Sequence, residues 1–289
     1  MFRKVLLLFV LFGVCQSAYA QNLDSITFVQ TKWKKKNLKA KSRLLTHHFN
    51  TKNLFGSNQN ISYVEVKNKR RSAVLSIGQE LKVLKPTSEF GIQANAVVAI
   101  NGTFFDVKNG GSVDLIKVNG TIVAPNKLDL EGNRSAHQKA AVLIEKGKLS
   151  IKEWNGVADW EQQEAAENMM VTGPLLSLNT TEALLDSGSF NVTRHPRTAI
   201  GIKPGGKVIL LTVDGRNENS AGMSLFELRK IMQWLGCTSS INLDGGGSTT
   251  LWVAGEEGNG VVNYPTDNKK WDHNGERNVA NVILLKKKP

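Results

Sequence analysis

Apolar and polar positions alternate along most of this chain with a period near two, in short runs separated by polar or glycine-rich turns. Ile61-Ser62-Tyr63-Val64-Glu65-Val66 reads as a half-buried strand, and Ala73 to Ile77 reads the same way. Ala94 to Ile100 is nearly continuous in apolar residues, which predicts a central strand. Asn119-Gly120 lies between the runs Asp114–Val118 and Thr121–Ala124, a two-residue hairpin signal. A second hairpin is expected from Ala140–Ile144 and Leu149–Ile151 around Lys146-Gly147-Lys148, and a third strand pair from Thr198–Ile202 and Lys207–Val213. Val279 to Leu285 closes the chain as an apolar strand.

Two stretches carry the helical period instead. Ser224 to Leu235 begins with a capping box, Ser224 and Glu227, and puts Leu225, Leu228, Met232 and Leu235 on one face, with Gly236 at the C-terminal cap. Asp159 to Met170 reads as a second helix, with Asp159 as N-cap and Gln162 three residues on. Residues 21–58 are polar and basic and read as an N-terminal strand or arm ahead of a domain over 59–289. No repeat or low-complexity linker interrupts the chain. The pattern predicts one α+β domain with a mixed, largely antiparallel β-sheet core and a few packed helices.

One stretch breaks the pattern in a way that suggests chemistry. Ser240-Ile241-Asn242-Leu243 runs into Asp244, then Gly245-Gly246-Gly247, then Ser248-Thr249, before Leu251-Trp252 resumes the apolar run. A carboxylate therefore emerges at a strand end beside backbone that carries no Cβ. Such backbone can adopt positive φ and admit a ligand, and its N–H groups can converge on an anion. A hairpin turn with glycines for geometry alone is the plain alternative.

Composition narrows the setting. Met1-Phe2-Arg3-Lys4, an apolar run from Val5 to Val14 and Ala18-Tyr19-Ala20 together read as a secretory signal peptide over 1–20, cut before Gln21. No other stretch approaches the ~18 apolar residues that span a bilayer, so no integral membrane segment is expected after cleavage. Removing Arg3 and Lys4 lowers the formal net charge from +12 to +10, and Cys237 becomes the only cysteine, which excludes an intramolecular disulfide. An exported protein, periplasmic or extracellular and bacterial in style, follows. The basic surface favours anionic partners such as phosphorylated glycans. No nucleic-acid motif, zinc spacing, nucleophile elbow, P-loop or dinucleotide fingerprint is present. No cofactor is indicated, although Asp214, Asp244 and nearby carbonyls have the oxygen chemistry that would suit a divalent cation.

Three more polar clusters fall at strand ends: Asn101 with Asp106, Arg194-His195-Pro196-Arg197-Thr198, and Asp214-Gly215-Arg216. Arginine's planar fork suits phosphate oxygens, and carboxylates serve as nucleophile, acid or base in glycosyl transfer to water. Each cluster also has a plain structural reading, as a surface ion pair or a turn residue. Trp271, in the polar 254–276 loop, has the shape of a sugar platform and equally that of a loop cover.

In order along the chain, Asn101-Gly102-Thr103-Phe104-Phe105, Thr172-Gly173-Pro174-Leu175, Arg197-Thr198-Ala199-Ile200-Gly201, Asp214-Gly215-Arg216 and Asn242-Leu243-Asp244-Gly245-Gly246-Gly247-Ser248-Thr249 resemble the phosphodiester glycosidase family. Arg277-Asn278-Val279-Ala280-Asn281 is similar as well, so the likeness spans roughly 60–285. The resemblance implies hydrolysis of a sugar-1-phosphate diester, of the N-acetylglucosamine-1-phosphodiester kind, at the anomeric carbon. It implies Asp244 as nucleophile or base, Asp214 as the second carboxylate with Asp106 in reserve, and Arg197, Arg216, Arg277 and His195 around the phosphate. Asn101, Thr198, Gly245, Gly246 and Ser248 would complete the substrate site. Two alternatives stay open: a phosphodiesterase cutting P–O bonds in envelope polymers, and a glycan-binding module of the same fold without activity.

Overall fold

The computed structural model describes residues 23–67 and 73–288, so the signal-like segment 1–20 lies outside the described residues. Among these, every strand pairing is antiparallel. The longest sheet orders eight strands as Lys34–Leu38, Ser42–Leu54, Ser57–Lys67, Lys207–Val213, Arg197–Ile202, Ser239–Asn242, Leu175–Leu178 and Thr181–Glu182. A five-stranded sheet runs Thr121–Ala124, Ile116–Val118, Asn168–Val171, Ala140–Glu145, Lys148–Glu153. A four-stranded sheet runs Leu251–Val253, Val98–Asn101, Asn281–Lys287, Ala73–Gln79.

The period-two pattern explains how these sheets pack. Val64, Val66, Ile200, Val208 and Leu210 point into a central core shared with Val98, Ile100, Ile283 and Leu285 of the four-stranded sheet and Val142 and Ile144 of the five-stranded one. Their neighbours Ile61, Tyr63, Ala199, Ile209 and Leu211 point the other way and meet the helix Leu225–Trp234. That helix buries Leu225, Leu228, Ile231 and Met232, each contributing about 1.5–3 kcal/mol. Its capping box forms as the sequence implies: Glu227 N donates to Ser224 Oγ at 3.2 Å and Ser224 N to Glu227 Oε2 at 2.9 Å. Gly236 takes φ 83°, the left-handed cap that glycine adopts at least cost. Gly201 lies against the buried Cys237, whose thiol burial pushes up to about 12, leaving it an inert packing group.

Two expectations change. The segment expected as a helix over 159–170 divides into a single turn, Trp160–Gln163, and a strand, Asn168–Val171. Lys117 Nζ donates to the carbonyls of Glu161 and Glu164 at 3.0 and 2.7 Å, ending the turn. Met169 and Met170 then pair between Ile116–Val118 and Ala140–Glu145. The apolar run from Ala94 is shared: Ala94 caps a helix over Thr87–Gln93, and the strand begins only at Val98. Residues 34–54 take the strand alternative expected of the basic N-terminal segment. They form two strands of the long sheet, because Leu44, Leu45, Phe49 and Leu54 are buried.

Candidate active site at the glycine turn

Strand Ser239–Asn242 delivers Asp244 to one end of the long sheet, and strand Val98–Asn101 of the four-stranded sheet ends beside it. Asn101 clips the two together. Its Nδ2 donates to the Asp244 carbonyl at 2.7 Å, while its Oδ1 accepts from Thr198 Oγ1 at 2.8 Å and Thr250 N at 3.1 Å. Asp244 N donates to the Gly102 carbonyl at 3.0 Å. Asn101 and Thr198 are fully enclosed, so they hold the Asp244 backbone in place from behind.

The side chain of Asp244 is half-buried and accepts Gly245 N at 2.9 Å. Burial pushes its carboxyl up to about 6, against the opposing pull of the Ser248 hydroxyl, the Gly245 N–H and Arg277. Asp114 adds to the rise as a nearby negative charge. A carboxyl that titrates near neutrality on a partly open face is the usual condition of a reacting acid or base.

The three glycines have a structural reason the sequence does not show. A Cβ on Gly246 would lie 3.1 Å from Arg216 Nη2, and one on Gly247 only 2.5 Å from Arg277 Nη2. On Gly245 it would meet the Pro196 carbonyl at 2.6 Å. Two guanidinium groups thus lie against bare backbone beside Asp244. The expected anion nest is largely closed, because Gly245 N is taken by Asp244, Gly246 N by Pro196, Ser248 N by Gly245 and Thr249 N by Gly246. The positive charge of the site comes from the arginines.

The arginines differ sharply. Arg216 is exposed, sits at φ 58° and has no hydrogen-bond or ion-pair partner among the described residues. A left-handed φ on a non-glycine residue is strained and tends to persist at functional positions. Arg277 pairs with Asp267 Oδ1 through Nε at 3.1 Å and Nη2 at 2.6 Å, and keeps part of its surface open. Arg197 is only 1 % exposed and donates to the carbonyls of Met223, Phe190 and Thr193, so it braces the wall instead of meeting a ligand. Burial, then Arg216, lowers its value to about 10. Burial lowers the half-buried His195 too, with Arg197 and Arg216 contributing in that order.

The second carboxylate differs from expectation. Asp214 is 1 % exposed, and its oxygens accept Asn60 Nδ2 at 2.7 Å, Asn263 Nδ2 at 2.8 Å and Tyr264 N at 3.0 Å. Burial raises its value, and no face is left for a substrate. Asp214 instead anchors the 254–276 loop, on which Trp271 stacks against Tyr264 with ring centroids 4.1 Å apart. Asp106 is half-buried, caps a turn through Lys108 N, Asn109 N and Asn109 Nδ2, and is pulled down to about 2, first by the Asn109 side chain.

The carboxylate that Asp244 does feel is Asp114, which the sequence marks only as a charge opening an apolar strand. Asp114 is fully buried and accepts Thr103 Oγ1 at 2.6 Å, Gln138 Nε2 at 3.1 Å and His137 Nδ1 at 2.9 Å. His137 has no motif around it, so nothing in the sequence singles it out. No group of three or more metal-ligating side chains occurs among the described residues. The main concavities elsewhere, about 200 Å³ beside Gly110 and Asn281 and about 460 Å³ beside Arg43 and Lys207, bring no comparable reacting set together.

The family model for phosphodiester glycosidases matches residues 94–286. The chain is 36% identical over 186 residues to a bovine N-acetylglucosamine-1-phosphodiester alpha-N-acetylglucosaminidase, covering 60% of this chain and 33% of the relative. It is 29% identical over 170 residues to the SPbeta prophage-derived protein YomE of Bacillus subtilis (strain 168), covering 57% of this chain and 26% of that one. The chain therefore spans about a third or less of the length of these relatives. In fold it resembles the zebrafish N-acetylglucosamine-1-phosphodiester alpha-N-acetylglucosaminidase catalytic domain, with a TM-score of 0.64, 20% identity and 89% of each chain covered. An exported protein from Burkholderia pseudomallei K96243 follows at a TM-score of 0.58 and 18% identity, over 81% of this chain and 75% of that one. With the glycine turn, the strand-end arginines and the closing strand all inside the matched span, the chain belongs to the phosphodiester glycosidase family.

Proposed function

We propose that the site at Asp244 hydrolyses a sugar-1-phosphate diester at the anomeric carbon, releasing free sugar and a phosphomonoester. The observation that carries this reading is Asp244 itself, a carboxyl raised to about 6 by burial at the head of a glycine turn against which the guanidinium groups of Arg216 and Arg277 lie. The uncommitted Arg216 would take phosphate oxygens, and Arg277 would do so by giving up part of its hold on Asp267. Asp244 would act at C1 as nucleophile or as base for water. The mammalian and zebrafish relatives carry this activity in their names, which supports the same substrate class here.

We infer further that the protein is exported and acts in glycan or exopolysaccharide processing. The signal-like start, the basic composition and the likeness to an exported Burkholderia protein support that setting. A mature N-terminus at Gln21 by mass spectrometry would test the export step.

Product analysis tests the chemistry. Protein is incubated with UDP-N-acetylglucosamine and with an N-acetylglucosamine-1-phosphomethyl diester in heavy-oxygen water. Labelled free sugar, lost in Asp244→Asn, is the expected result. Label in the phosphate would mean P–O cleavage and overturn the reading.

A further inference from the structure

We propose that His137 is the proton donor to the departing phosphate, with Asp114 as its positioning residue. The inference rests on the reading of Asp244 given above and extends the site to a second reacting group.

The contacts run without a gap from Asp244 to the imidazole. Asp244 N donates to the carbonyl of Gly102. The next residue, Thr103, donates through Oγ1 to Asp114 Oδ2 at 2.6 Å. Asp114 accepts His137 Nδ1 at 2.9 Å to Oδ1 and 3.0 Å to Oδ2, and Gln138 Nε2 holds Oδ1 from the other side at 3.1 Å. A carboxylate so surrounded and fully buried has no route to a substrate of its own. It fixes the ring's orientation through Nδ1, as the aspartate of an Asp-His pair does. Because Nδ1 is engaged, Nε2 is the free nitrogen, with no partner among the described residues. The His137 side chain is 27% exposed, and its ring lies on Phe104 at 4.4 Å between centroids. Gly173 packs against the His137 backbone, where a Cβ would fall 3.2 Å from the His137 Cα. The ring is thus held at Nδ1 and against Phe104 while the side chain keeps part of its surface open.

The chemistry suits the leaving group. As C1–O breaks, its electron pair moves to the phosphate oxygen, and the nascent monoester takes up its second proton near pH ~6. An imidazolium is the side chain best matched to that affinity near neutral pH. The His137 Nε2 proton passes to the phosphate. Water supplies the oxygen that ends on C1, Asp244 takes the water proton, and exchange through solvent returns a proton to His137.

The test uses His137→Gln and Asp114→Asn in the full chain, with the N-acetylglucosamine-1-phosphomethyl diester and the matching glycosyl fluoride, whose leaving group needs little protonation. His137→Gln is expected to lower kcat on the diester by roughly 10²–10⁴ with KM within threefold, and on the fluoride by less than tenfold. Asp114→Asn is expected to show the same selectivity to a smaller degree. Added imidazole should restore part of the diester rate in His137→Ala. Equal losses on both substrates, or none on the diester, would overturn the role of His137. Failure of the unaltered protein to release sugar from any diester would instead overturn the function itself, and the proton donor with it.

Discussion

At the scale of single residues, the same carboxylate chemistry has two outcomes in this molecule, decided by what surrounds each group. Asp244 has one hydrogen-bonded N–H, a partly open face and a value near 6. Because the folded value lies above the ordinary ~3.9, ionising Asp244 in the cleft destabilises the fold. That cost is absent below about pH 4 and complete above about pH 6. Asp244→Asn should therefore stabilise the protein at pH 7.5 by about 1–2 kcal/mol, discounted for the solvent contact the side chain keeps. Thermal melts of both proteins should coincide at pH 4 and separate at pH 7.5. A lower melting temperature for the variant at pH 7.5 would contradict the burial argument. If ionised Asp244 does the chemistry, kcat/KM should rise through about pH 6. Asp214 behaves in the opposite way under substitution. Either orientation of an amide would set a donor against Asn60, Asn263 or Tyr264 N, so Asp214→Asn should cost about 2–4 kcal/mol, read by denaturant titration. The glycines separate similarly. Gly247→Ala meets the mobile ends of Arg277 and Asp267, so it should cost activity more than stability. Gly245→Ala meets the Pro196 carbonyl and should cost mainly stability.

At the scale of elements, the site depends on a helix that never touches it. Ser224 and Glu227 start the helix Leu225–Trp234, and the residue just before it, Met223, offers its carbonyl to Arg197 Nε at 2.8 Å. Arg194 grips Glu227 through Nε and Nη2, joining the 194–198 segment to the same helix start. Ser224→Ala should lower stability by about 1 kcal/mol. It should also raise KM for a phosphodiester modestly, since the segment carrying His195 and Arg197 loosens. Unchanged KM alongside the stability loss would show that the two are uncoupled. This helix was legible residue by residue, because capping box, apolar face and terminal glycine lie within thirteen consecutive positions. The 159–170 segment was misread for the converse reason. Its periodicity is local, but Met169 and Met170 are claimed by strands that lie about 25 and 50 residues earlier, a tertiary pairing that overrides propensity.

At the scale of the whole molecule, three antiparallel sheets share one core and bring strand ends from distant parts of the chain together around Asp244. With a formal net charge of +12, the protein should attract anionic substrates over distances comparable to the Debye length. KM for a polyanionic glycan should therefore rise several-fold between ~0.05 and ~0.3 M salt, while a small neutral glycosyl fluoride should be nearly insensitive. A flat response for both would confine the electrostatics to Arg216 and Arg277.

The amino-acid sequence alone determined many of the strands, the two hairpins, the capped helix, the α+β class and the likeness to the family, because each is written in short-range pattern or in motifs read along the chain. It also determined that Asp244 sits at a strand end beside bare glycine backbone. Which polar residues reach solvent was decided only by the tertiary structure. Burial and hydrogen bonding come from residues far apart in sequence: Asn60, Asn263 and Tyr264 close over Asp214, while Met223 and Phe190 enclose Arg197. His137 and Asp114, separated by 23 positions, become a pair only when the chain folds, since their hydrogen bond depends on distance in space and leaves no spacing to read.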